Sequence, residues 1–209
     1  MSHDDTPVLV VGICGSLRLM SYTEMALSVA LEGAQEVGAL TRLIALRDYD
    51  LVFCDGKVDE SAYPEDVFRL RREVGQAQGI ILGTPEYHGS FSGVLKNALD
   101  LMGFAEFEGK MVGLVGVSGG GLVAVNALNS LRTVPRALHA WAVPEQASIP
   151  AAWKAFDRNG KLKDSQWEER LKAVGRQVAR FAYLHTSETV REFLEAWEST
   201  PVNPGAGRR

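Results

Sequence analysis

The stretch VLVVGICGSLRLMSYT, Val8 to Thr23, decides the fold. From Val8 to Ile13 it is apolar throughout, the composition of a strand covered on both faces. After Ile13 the pattern breaks into glycine, serines and an arginine, and from Glu24 apolar residues return at helical spacing. A buried strand that passes through a short polar turn into a helix is the opening of a crossover unit in a parallel sheet.

Working outward, the same succession recurs. Arg42–Leu46, Gly79–Gly83, Met111–Val117 and Leu138–Val143 read as further strands. Between the strands, Glu24–Gly38, Glu65–Ala77, Val94–Met102 and Leu122–Val134 show helical periodicity. A last long helix runs through SQWEERLKAVGRQVARFAYLH, residues 165–185. Gly38 suits a helix C-cap and Pro64 the first turn of its helix. About five strands in such an alternation predict an α/β, flavodoxin-like three-layer sandwich, its five-stranded parallel sheet in the order 2-1-3-4-5, or the Rossmann relative of that fold. One domain is expected over residues 1–185. Residues 186–209 read as a C-terminal helix and a disordered tail, since STPVNPGAGRR at its end is rich in proline and glycine.

The totals agree with one domain. A chain of 209 residues with 46% hydrophobic and 23% charged side chains buries a sizeable core without a metal or disulfide staple. A formal net charge of −4 argues against a general nucleic-acid binder, which needs a basic face. Cys14 and Cys54 form no metal-ligand spacing and no disulfide framework, so reduced thiols and a cytoplasmic location are expected. The apolar run near the N-terminus is too short for a bilayer span, and no membrane partner is expected.

In an open α/β sheet the ligand lies beyond the carboxyl ends of the strands, at the switch in strand order between the first and third. Two unusual loops leave those strands: GSLRLMSYT, and TPEYHGSFSGVLKNALDL from Thr84 to Leu101. The first offers backbone amides, a helix N-terminus, the hydroxyls of Ser16, Ser21 and Thr23, and the planar fork of Arg18, a set suited to a phosphate monoester. The same residues also fit an ordinary turn in which Ser21 or Thr23 caps the helix and Arg18 lies on the surface. There is no G-x-x-x-x-G-K-[ST], which excludes a triphosphatase loop, and GICGSLR fails the dinucleotide pattern G-x-G-x-x-G.

Together these two motifs closely resemble the NADPH-dependent FMN reductase family, which includes quinone, azo-dye and chromate reductases. The resemblance extends in outline from Val8 to about Tyr183. It implies that Ser16, Arg18, Ser21, Tyr22 and Thr23 bind the FMN phosphate. Pro85, Glu86, Tyr87 and His88 would lie along the isoalloxazine ring, and Ser118, Gly119 and Gly120 of VSGGG would approach it from the other side. It implies an enzyme without a catalytic side chain or metal, transferring hydride from NADPH or NADH to flavin and then electrons to free FMN, a quinone or another small acceptor. A homodimer or homotetramer is implied as well. A flavodoxin-type electron carrier and a non-catalytic FMN-binding module are the alternatives.

The chain departs from the family where His88 stands in place of the common asparagine, Ser92 in place of proline, and Thr23 in place of asparagine. His88 beside the flavin would give a pH-dependent potential. A Glu86–His88 acid–base pair is a further reading, disfavoured because adjacent residues at a strand lip point apart. Lys96 and Asp100 read as a helix-surface pair. Trp141, Trp153, Phe156 and Trp167 read as core or interface.

Overall fold

The computed structural model describes residues 7–56, 60–121, 123–186 and 192. The elements run β1 (Leu9–Cys14), α1 (Tyr22–Gln35), β2 (Leu40–Ala45), α2 (Glu65–Gly75), β3 (Gly79–Tyr87), β4 (Ser90–Phe91), α3 (Gly93–Asp100) and α4 (Phe104–Phe107). They continue β5 (Met111–Val117), α5 (Val125–Leu131), α6 (Thr133–Ala137), β6 (Trp141–Ile149), α7 (Ala152–Ala155) and α8 (Ser165–Thr186). The sheet order is β2-β1-β3-β5-β6, with β4 paired only to β3. Because β4 is the return of an antiparallel hairpin, the parallel strands alone stand in chain order 2-1-3-4-5. This is the flavodoxin-like arrangement expected.

Alternation along each strand divides the core in two. Val10, Ile81 and Val115 point into the layer that holds α1 and α8. Val11, Ile80, Leu82 and Leu114 point into the opposite layer, where Leu70 of α2, Leu95 of α3 and Leu128 of α5 meet them. Both faces of β1 are therefore dry, and each of Val10, Val11 and Ile13 is fully buried. Burial of side chains of this size contributes roughly 1.5–3 kcal/mol each.

Helices α1 and α8 approach unusually closely. A Cβ on Gly175 would lie 1.7 Å from the carbonyl oxygen of Ala30, so only glycine fits there. The outer rim of this pair is tied by ions, Lys172 to Glu36 and Glu168 at 3.0 Å and Arg176 to Glu36 at 2.7 Å. The expected Lys96–Asp100 pair forms at 2.6 Å on α3.

Two expectations are corrected. The helix placed over Leu122–Val134 is shorter, Val125–Leu131, followed by a separate α6 that contains Pro135. Its predicted first residue lies outside the described residues. The fifth parallel strand runs from Trp141 to Ile149, not from Leu138 to Val143. Leu138 closes α6, and His139 turns the chain with φ +57°. Pro144 lies within this strand, on the sheet edge beside a register shift between Val112 and Leu114, where a missing N–H is tolerated. The tail expected after residue 185 falls almost entirely outside the described residues.

Candidate functional site

β1 and β3 are neighbours whose crossovers leave in opposite directions, so their carboxyl ends open a crevice. The Gly15 N–H donates to the Gly83 carbonyl at 2.8 Å, joining the two strand exits at its floor. A side chain at Gly15 would stand 2.7 Å from Leu95 Cβ, so the loops meet this closely only through glycine. Cys14 ends β1, fully buried, its thiol 3.8 Å from the Ser16 carbonyl. Burial pushes that thiol up from its ordinary range.

Beyond Gly15 the chain curls through Met20, held at φ +55°, into α1. Ser21 takes the N-cap position, but its hydroxyl makes no capping hydrogen bond. The amides of the first turn have no acceptor within the helix. Ser16, Ser21 and Thr23 are all buried beneath this turn, and Ser16 Oγ accepts from the Arg18 N–H at 3.4 Å. The Arg18 guanidinium is exposed on the cleft wall and makes no ion pair among the described residues. A capping serine that does not cap, free amides and an unpaired cation thus converge on one spot. That donor set fits a phosphate monoester.

The second loop is a tight hairpin. Tyr87 pairs with Ser90 across His88 and Gly89, whose φ values are +51° and +75°. Positive φ at both central residues is a type I′ turn, which favours Asn-Gly and in which histidine is better tolerated than most side chains. His88 is therefore at the exposed tip of the turn and does not line the cleft. The Glu86 carboxylate accepts from the Ala127 N–H at 3.0 Å, in the first turn of α5. Committed to that helix, it forms no acid–base pair with His88.

Ser92 secures the hairpin from below. Its N–H donates to Thr84 Oγ1 at 3.0 Å, its hydroxyl donates to the Gly15 carbonyl at 2.6 Å, and its Oγ accepts from Leu95 N–H at 3.1 Å. One side chain thus caps α3 and binds the first loop to the second. Proline at this position could make none of these bonds.

The third wall comes from VSGGG and from a segment the sequence did not reveal. Ser118 and Gly120 carbonyls accept from the Ala152 and Ala151 N–H groups at 3.0 and 2.7 Å. This clamps the end of β5 to the turn into α7 and places Trp153 on the cleft. Trp153 is 59% exposed, so it is not part of the core. Phe156 is buried as expected and stacks on Tyr22, ring centroids 5.6 Å apart. The sequence did not place Trp153 on the cleft, because the preceding strand extends six residues past its predicted end at Val143.

The resulting cleft has a volume of about 420 Å³. Every expected cofactor-binding residue except His88 lines it, with Val117, Ala152 and Trp153 added. Larger hollows lie beside Glu36 and Arg176 and beside Pro7 and Tyr183, away from all three loops. Among the described residues no group of histidine, cysteine, aspartate and glutamate could hold a metal ion, and no helix is long and apolar enough to cross a membrane.

A family model described as NADPH-dependent FMN reductase matches residues 8–154. The NADPH-dependent FMN reductase ArsH of Shigella flexneri is 30% identical over 189 residues, 88% of this chain and 72% of that protein. An FMN-dependent NADPH-azoreductase of Staphylococcus aureus is 40% identical over 114 residues, 54% of this chain and 60% of the relative. Among solved structures, FerB, a flavoenzyme NAD(P)H:(acceptor) oxidoreductase from Paracoccus denitrificans, superposes with a TM-score of 0.66 at 23% identity. It covers 85% of this chain and 98% of FerB, a likeness of fold.

Proposed function

The chain belongs to the NADPH-dependent FMN reductase family, as an FMN-dependent NAD(P)H oxidoreductase, and from that membership we propose how its cleft works. Ser16, Arg18, Ser21, Tyr22 and Thr23 hold the FMN phosphate. Pro85, Glu86 and Tyr87 carry one side of the ring system, and Ser118, Gly119 and Gly120 the other. The observation that supports this reading most is the donor set at the start of α1, where the Ser21 hydroxyl makes no cap bond beside an Arg18 that has no ion pair among the described residues.

When bound, FMN supplies the hydride-accepting and electron-donating chemistry. Among the described residues, neither Glu86 nor His88 is poised in the cleft as acid or base: Glu86 serves α5 and His88 lies outside the lining. The protein's part is to bind, orient and exclude water. The exposed rings of Tyr87 and Trp153 suit a planar acceptor such as free flavin or a quinone, taken in turn with NADPH or NADH. Leu19 and Met20, 82% and 74% exposed beside the cleft, suit a second copy of the chain, and a homodimer or homotetramer is part of the proposal.

The test is to purify the full chain, record its visible spectrum, and titrate it with FMN, riboflavin and, anaerobically, NADPH. The expected result is about one FMN per chain, much weaker riboflavin binding, and bleaching by NADPH. Preference for FAD, or no flavin after reconstitution, would reject the reading.

A further inference from the structure

Arg47 lies outside the cleft lining, on the single helical turn Leu46–Asp48 that follows β2. Its guanidinium grips the Glu24 carboxylate with both forks, Nη2 to Oε1 at 2.9 Å and Nη1 to Oε2. Nη1 also donates to the Arg18 carbonyl at 3.2 Å. The pair is largely shielded, with side-chain exposures of 22% for Arg47 and 26% for Glu24. Asp48 Oδ1 stands 3.7 Å from Arg47 Nε on the solvent side.

Glu24 is in the first turn of α1, immediately after the amides of Tyr22 and Thr23. A carboxylate there suits the helix dipole in isolation. Beside a bound phosphate it is a like charge within one helical turn, and partial burial leaves it poorly screened. Arg47 answers both problems, since it offsets that charge and fixes the backbone of the residue whose side chain reaches the anion.

Resting on the FMN reading, we propose that Arg47 is a positioning residue for the phosphate loop: it neutralises Glu24 and anchors the loop through the Arg18 carbonyl. Its effect is specific to the phosphate and not to the flavin ring.

The experiment measures FMN and riboflavin affinity of the full chain by flavin fluorescence titration in the parent, Arg47→Met, Glu24→Gln and the double variant. Arg47→Met should weaken FMN about tenfold or more while riboflavin changes less than about twofold, as expected for a charge effect on a charged ligand. Glu24→Gln alone should tighten FMN a few fold, about as much as removing one partly shielded like charge allows. In the Arg47→Met background it should restore at least about half of the logarithmic loss.

Equal losses for FMN and riboflavin would reduce Arg47 to a fold-supporting residue and overturn the proposal. A double variant as weak as Arg47→Met would do the same. If Arg47→Met does not fold, Glu24→Gln decides alone, and an unchanged FMN affinity there rejects the idea. A parent chain that prefers FMN, with that preference unaltered in every variant, overturns the role of Arg47 only. A parent that binds FMN no better than riboflavin overturns the cofactor reading as well.

Discussion

Arg18→Ala removes a planar cation from the cleft wall and leaves the buried serines in place. The expected loss of FMN affinity is roughly 1.5–3 kcal/mol, the range for a hydrogen bond to a charged group, with riboflavin affinity unchanged. Equal affinity in parent and variant, read by the same titration, would return Arg18 to the solvent. His88→Asn puts the favoured residue into the type I′ turn, where φ is +51°. It should raise stability by up to about 1 kcal/mol, since asparagine accepts the left-handed region more readily. The midpoint potential of bound FMN should follow the same pH profile in both proteins; a difference between profiles would put the imidazole back beside the flavin. The first loop was legible in the sequence because all its donors lie between Ser16 and Thr23. His88 was not, because whether residue 88 meets a ligand depends on the handedness of a two-residue turn, which strand periodicity does not reveal.

At the scale of elements, the α1–α8 contact leaves no room for a side chain at Gly175, where the obstacle is the Ala30 carbonyl. Backbone cannot yield as a flexible side chain can, so Gly175→Ala should cost about 3 kcal/mol, the upper part of the range for overpacking. For a chain of this size that lowers Tm by roughly 6–12 °C, measurable by calorimetry; an unchanged Tm would mean the helices part easily. Lys110 ends α2 differently, donating to the Val74 and Gly75 carbonyls at 2.9 and 2.8 Å. Burial pushes it down from 10.5 to about 8, against the pull of Glu106. Because the folded value lies below the unfolded one, the unfolded chain holds more protons between them, and stability from this group rises with pH above about 8. Denaturant midpoints from pH 7.5 to 9.5 should therefore climb in the parent relative to Lys110→Met; parallel profiles would discount the shift. Element types were legible from period and burial, as in β5, whose bounds agree at both ends. The α5–α6 break and the length of β6 were not, because Pro135 and Pro144 act through positions that tertiary contacts decide.

For the molecule as a whole, the cleft of about 420 Å³ lies near the small end of ligand sites, which run from about 300 to 1,000 Å³. With a cofactor in place, donor and acceptor must use the remaining space alternately, so initial rates at varied NADPH and quinone should give parallel double-reciprocal lines. Intersecting lines would require room for both at once. The floor of that cleft carries a last consequence. Cys14 is sealed beneath the first loop with its thiol held protonated, while Cys54 is exposed. An alkylating reagent should therefore modify Cys54 at once and reach Cys14 only when the strand exits separate. The delay between the two labelling events is a clock for opening of the phosphate loop, and added FMN should slow it.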